Sequence, residues 1–247
     1  MSRYGAYADD NYLNMNLNTE LDLPTSRETV LHFFEQMQRH FPGLRNFYTR
    51  DRNEIVLEEE KEGGSYRWIS VEARRLSSGY VNPPSTEEAM RLHNTVLEIA
   101  PFALAVSPLD CESLNIMYGF DFTFRGNHNQ LLVDALGISP ALEKMTQIPG
   151  ATVLGCDPVL QLAMDDDCRT QVRLSMETLT TAFHVRMREF PEEQLSVYLT
   201  ARRYGSLEPG DTFVGSVCKL GDVARELVDN YVVENVLRPL QQTIAMG

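Results

Sequence analysis

The chain has 247 residues, enough to bury a substantial core in one large domain or two small ones. Hydrophobic residues make up 43% and charged residues 23%, a composition that excludes a disordered chain. With 35 acidic against 22 basic residues the formal charge is −13, which opposes binding to nucleic acid or to an anionic membrane, because both rely on cationic contacts.

No run approaches the roughly 18 apolar residues of a membrane span. The N-terminal stretch MSRYGAYADDNYLN lacks the basic-then-apolar layout of a secretory signal. The expectation is a soluble, cytoplasmic protein with residues 1–11 as a short polar tail. Cys111, Cys156, Cys168 and Cys218 are far apart and form no CxxC pair, so free thiols are expected in a reducing compartment.

Tyr12 to Leu23 alternates, with Leu13, Met15, Leu17 and Leu21 on one face and Asn14, Asn16 and Asn18 on the other, which predicts a half-buried strand. Thr25 and Glu28 have the spacing of a capping box, and Val30, Phe33, Phe34, Met37 and Phe41 follow at helical spacing until Pro42-Gly43. Leu44–Thr49 and Glu54–Glu60 read as strands around an Asp51-Arg52-Asn53 turn. Gly63-Gly64 turns into a third strand over Tyr66–Leu76, and a loop with Gly79 and Pro83-Pro84 comes next. Ser85 to Glu88 caps a second helix carrying Leu92, Val96, Ile99 and Ala103, bent or ended by Pro101.

After a linker around Ala105–Cys111, Leu114 to Phe124 alternates as an unusually long strand. Asn127 to Gln130 caps a short helix, and Pro140–Pro149 is irregular or a helical turn. Strands follow at Leu160–Met164, Val172–Met176 and Val197–Ala201, and a long helix opens at Gly221-Asp222, kinked or ended by Pro239.

Both halves therefore run strand, helix, three strands, helix. Leu13-Asn14-Met15 matches Leu114-Asn115-Ile116, and Ala73-Arg74-Arg75 matches Ala201-Arg202-Arg203. The predicted fold class is α+β: a tandem duplication of a βαβββα unit over residues 12–104 and 113–247, joined by a linker at 105–112. The two units would form one curved, mainly antiparallel sheet with helices on one face. The second unit is longer, and the excess is assigned to loops at Pro140–Pro149 and Thr181–Glu193. The alternative is a single helix-grip-like sheet closed around the C-terminal helix.

The duplicated layout is similar to that of the TATA-box-binding-protein type, in element order alone and without a shared motif. That family's DNA reading uses a basic saddle; this chain is acidic, so DNA binding is not carried over.

Arg74 and Arg202 take the parity of the open sheet face, and Arg75 and Arg203 stand at strand ends. Forked guanidinium donors suit carboxylates or phosphates, which points to an anion or acidic-peptide site; cross-strand pairing with Glu58, Glu72 or Glu177 is the plainer reading. Trp68, the only tryptophan, has non-core parity and with Tyr66, Tyr198 and Phe183 could form an aromatic platform. Asp165-Asp166-Asp167 reads as a hairpin turn rather than a cation loop. His32, His40, His93, His128 and His184 have no ligand spacing, and no GxSxG, GxGxxG or GxxxxGK[ST] is present.

No cofactor or metal is called for. The expected function is a non-enzymatic binding or assembly protein that contacts a protein partner or a second copy of itself through the open face. The expected binding residues are Trp68, Arg74, Arg75, Tyr198, Arg202 and Arg203. The alternative is an enzyme or small-ligand protein with a cavity between sheet and helices.

Overall fold

The structure, a computed structural model, describes residues 4–24, 26–50 and 53–246. Strand β1 (Asp10–Thr19) forms where the alternation predicted it, with Leu13, Met15 and Leu17 buried and Tyr12, Asn14, Asn16 and Asn18 half-buried on the opposite face. Helix α1 (Arg27–His40) buries Val30, Phe33, Phe34 and Met37. Its cap is Ser26, whose hydroxyl accepts from the Thr29 N–H at 3.2 Å. The predicted Thr25–Glu28 box rests on Thr25, which lies outside the described residues, as do Asp51 and Arg52 of the predicted turn.

Strands β2 (Asn46–Thr49) and β3 (Ile55–Glu58) follow as predicted, but the third strand is in fact two. β4 (Tyr66–Val71) stops, the chain turns with the Glu72 N–H donating to the Arg75 carbonyl at 2.8 Å, and β5 (Arg75–Val81) returns alongside. The segment around Gly79, read as loop, is thus a central strand. Its glycine is there for space: a Cβ at Gly79 would overlap the Trp68 indole, which lies across the bare backbone.

Helix α2 (Thr86–Ala103) is capped by Ser85 and runs two residues past Pro101. β6 (Cys111–Arg125) is the long strand expected, and α3 (His128–Leu136) starts under the Asn127 side chain. The first predicted loop contains α4 (Pro140–Thr146) and the second α5 (Ala182–Met187), neither of which buries a residue. β7 (Val159–Ala163) and β8 (Thr170–Glu177) form a hairpin closed by Asp165, whose carboxylate accepts from the Arg169 and Thr170 N–H groups, each at 2.8 Å. A side-chain hydrogen bond from Thr170, then these backbone bonds, hold its carboxyl below the usual range.

β9 (Glu192–Tyr204) leads to α6 (Phe213–Leu227), which begins at Phe213 rather than Gly221 because Thr212 supplies the cap. A π-helical run (Val228–Leu237) joins α6 to α7 (Arg238–Met246), and Pro239 sits inside α7 instead of ending the helix. The wide turns ahead of it relieve the clash between a proline ring and the preceding turn.

Among the described residues nine strands join one antiparallel sheet in the order β2-β3-β4-β5-β1-β6-β9-β8-β7. It is open, with β2 and β7 at its edges, so the closed helix-grip alternative is not adopted. β1 and β6 lie at the centre with Met15 opposite Ile116, both fully buried. α2 packs on β1 and β5, α6 on β6 and β9, and a single core fills the layer between helices and sheet. The N-terminal segment is not a free tail from Tyr4 onward. Tyr4 is buried edge-on against Tyr118 and Phe120, with ring centroids 5.9 and 5.7 Å away, and its hydroxyl donates to Asp229 at 2.8 Å. No helix among the described residues is long and apolar enough to cross a membrane.

His93 of α2 is fully buried, with Nδ1 2.8 Å from the Ser78 hydroxyl of β5. Burial pushes its pKa from 6.5 down to about 3, so the folded protein holds it neutral. The unfolded chain binds the extra proton between those values, and stability is therefore lost as pH falls below 6.5. Urea unfolding from pH 7 to pH 4 should show this decline, and His93→Gln should flatten it over the same interval.

Candidate functional site

The face of the sheet away from the helices is not uniformly open. Over β3–β5 it is closed, with Val56, Ser70 and Ser77 buried and Trp68 laid over Gly79. From β1 across to β7 it forms a trough of about 600 Å³. Four strand spacings separate those two strands, so the trough is roughly 19 Å across, the length of about six extended residues.

The trough follows from registers. On one row Asn14 faces Met117, Met117 faces Thr200, Thr200 faces Arg173, and Arg173 faces Gln161. On the next, Asn16, Asn115, Arg202 and Gln171 lie side by side. The row on the other side carries Tyr12, Gly119, Tyr198 and Ser175. Side chains alternate along each strand, so all of these project from the same face.

Gly119 matters here as Gly79 does next door. A Cβ at position 119 would overlap the Tyr12 ring, so the glycine lets that ring lie over β6 toward Tyr198, 6.4 Å away between centroids. The Tyr12 hydroxyl then donates to Asp121 at 3.2 Å, and the Ser196 hydroxyl donates to the same carboxylate oxygen at 2.6 Å. Burial, followed by the charge of Asp121, raises the Tyr12 pKa, so its phenol stays protonated. Burial also raises Asp121, against the two hydroxyls that lower it.

The opposite end of the trough is cationic. Arg202 is half-buried and lies over the Tyr204 ring, 5.6 Å from its centroid, with Nη1 donating to the Tyr204 hydroxyl at 3.2 Å. Its Nε is buried without a hydrogen-bond partner, as is Oδ1 of Asn14. Among the described residues neither Arg202 nor Arg173 has an ion-pair partner.

Of the six residues expected from sequence, Tyr198 and Arg202 line the trough, and Trp68 lies on the same face beyond it, against Asn14. The other three are elsewhere. Arg74 stands in the β4–β5 turn, 62% exposed and paired with Asp22 at 2.7 Å. Arg75 opens β5 and pairs with Glu72. Arg203 points to the helix-covered face and donates to the Gly205 and Ser206 carbonyls at 3.3 and 3.0 Å. The aromatic platform is not assembled either: Phe183 belongs to α5, and Tyr66 packs under Lys61. Tyr12, Arg173, Gln161 and Gln171 were missed, although their parity is legible. What was not legible is that β9, the last strand, inserts between β6 and β8.

The Ser78–His93 pair is a further polar group, but both side chains are enclosed between α2 and β5. Among the described residues no three His, Cys, Asp or Glu side chains are gathered as a metal site. The sequence matches no protein-family model and no curated protein.

Asp121 offers a direct test of this electrostatic arrangement. Because its folded pKa lies above 3.8, the native state binds more protons than the unfolded chain just above that pH, and stability declines as pH rises through the window. Asp121→Asn keeps an acceptor for both hydroxyls and removes the charge. The variant should melt higher than the parent at pH 7, with the gain vanishing near pH 3.

Proposed function

We propose that this is a non-enzymatic binding protein whose trough takes an extended, carboxylate-bearing segment of a partner protein. The observation that carries the reading is the pair of arginines without ion partners, Arg173 and Arg202, facing one trough on a chain of net charge −13. Guanidinium groups left unpaired beside a concave surface are donors awaiting a forked acceptor. Three tyrosines, Tyr12, Tyr198 and Tyr204, share the lining, together with Asn14, Gln161, Gln171 and Thr200. Tyrosine and arginine are the residues enriched at protein interfaces, and the amides supply adaptable hydrogen bonds.

We also read the two halves, residues 12–104 and 113–247, as copies. Either side of the β1–β6 pair the strands run in matching order: β5, β4, β3 on one side and β9, β8, β7 on the other. Taking Leu13 as the counterpart of Leu114, the registers make Leu76, which faces Leu17, the counterpart of Leu199, which faces Tyr118. The two Ala-Arg-Arg triplets are then not counterparts. Arg202, facing Asn115, instead takes the place of Gly79, facing Asn14. One half is sealed by an indole over a glycine, and the other carries a guanidinium in the same place, which supports a cationic end supplied by the second half alone.

The test is recovery of partners from the protein's own cell by the parent chain and by an Arg173→Glu/Arg202→Glu variant, with circular dichroism confirming the fold of both. The expected outcome is that the specific partners of the parent are lost, by tenfold or more, from the variant. Identical recovery by both chains would refute the trough as the binding surface.

A further inference from the structure

The two edges of the sheet are built differently. β2 has four residues and is bracketed by Arg45 and Arg50, the short, charged form in which edges are protected from further pairing. β7 has five residues, Val-Leu-Gln-Leu-Ala, every one of them exposed. From Pro149 to Met164 the only charge is Asp157.

The helix layer also stops short of this edge. Leu160 and Leu162 have the parity of the covered face, opposite Leu174 and Val172, yet they are 55% and 44% exposed. Eleven of the eighteen large apolar side chains exposed among the described residues lie between positions 142 and 187. The segment that carries β7 therefore holds most of the exposed apolar side chains of the described residues.

We infer that β7 pairs with β7 of a second copy, antiparallel and about a two-fold axis through Gln161. The strand is self-complementary in that register. Leu160 stands opposite the partner's Leu162 and Leu162 opposite the partner's Leu160, so the apolar row from Leu174 continues into the other protomer. Gln161 meets its own copy on the trough face. An isologous contact of this kind closes on itself as a dimer, and the sheet becomes continuous across both chains. Two chains of −13 repel one another over most of their surfaces, and this edge is nearly free of charge.

Pairing makes the site larger than one chain provides. Gln161 lines the trough of each protomer, so the two troughs meet at the axis and form one groove with an arginine pair on either side of it. In this register Asp157 faces the partner's Asp165 at either end of the new ladder, so added salt should tighten the dimer. The inference does not depend on what the trough binds, because its readout is the mass of the purified chain alone.

Sedimentation equilibrium of the full chain over micromolar to submillimolar concentrations should show a monomer–dimer equilibrium. Leu160→Lys/Leu162→Lys should weaken it at least tenfold, whereas Phe47→Lys on the other edge should leave it unchanged. Gln161→Cys in a Cys168→Ser background should form a disulfide between chains on mild oxidation, since residues directly opposite in an antiparallel ladder lie within bridging distance. A monomer at every concentration, or a dimer unaffected by the double lysine variant and not trapped through Cys at 161, would overturn the inference.

Discussion

The antiparallel pairing of β1 with β6 is the contact on which the rest of the molecule depends. Ten residues of one strand lie against the longest strand of the chain, and each then receives one further neighbour, β5 or β9. α2 and α6 are placed by those two pairs, and the core beneath is continuous because Met15 and Ile116 meet at its centre. Both strands have one apolar face and one polar face, so a register slip by a single residue would turn asparagines into the core. The ladder of Asn16 to Asn115 at 3.0 Å and Asn18 to Ser113 at 2.8 Å gives the polar face its own reason to hold that register.

The same constraint explains where the exposed face is open. A sheet face without helices must be satisfied by its own side chains or left to solvent. Glycines at 79 and 119 permit the first solution, because an aromatic ring from a neighbouring strand can lie flat over each. On the β8–β9 side no comparable glycine is present, and arginine, glutamine and threonine side chains stand up from the strands instead. The β8–β9 side of the trough is therefore the part of the face where no ring lies over a glycine. The trough's acidic and cationic ends follow from which residues alternate outward on β6, β8 and β9.

Much of the architecture was legible in the sequence because alternation and capping are local. β1, β6 and α1 were read to within a few residues, and the parity that sends Tyr198, Arg202 and Trp68 to the same face held. The failures were of two physical kinds. Gly79 and its neighbouring serines look like a loop in isolation, and only a tertiary contact, the Trp68 indole, makes that glycine fit a strand. The two Ala-Arg-Arg triplets look equivalent, but one lies in a hairpin turn and the other in the middle of a pairing with β6, a difference set by strand order. Strand order also decided the site. Arg173 and Arg202 are neighbours because β9 pairs with β8, and they share a trough with Tyr12 and Asn14 because β9 also pairs with β6, contacts that no local pattern announces.

The position of β1 at the centre also bears on how the chain is made. β1 is synthesised before β6, its principal neighbour, which lies about a hundred residues further on. Until Cys111–Arg125 has emerged, the first half can offer β1 only one partner, β5, and its other side stays a bare strand edge in a crowded cell. Contacts this distant in sequence form slowly. The asparagines at 14, 16 and 18 would then serve a second purpose, keeping one face of that waiting edge wet while the chain is unfinished.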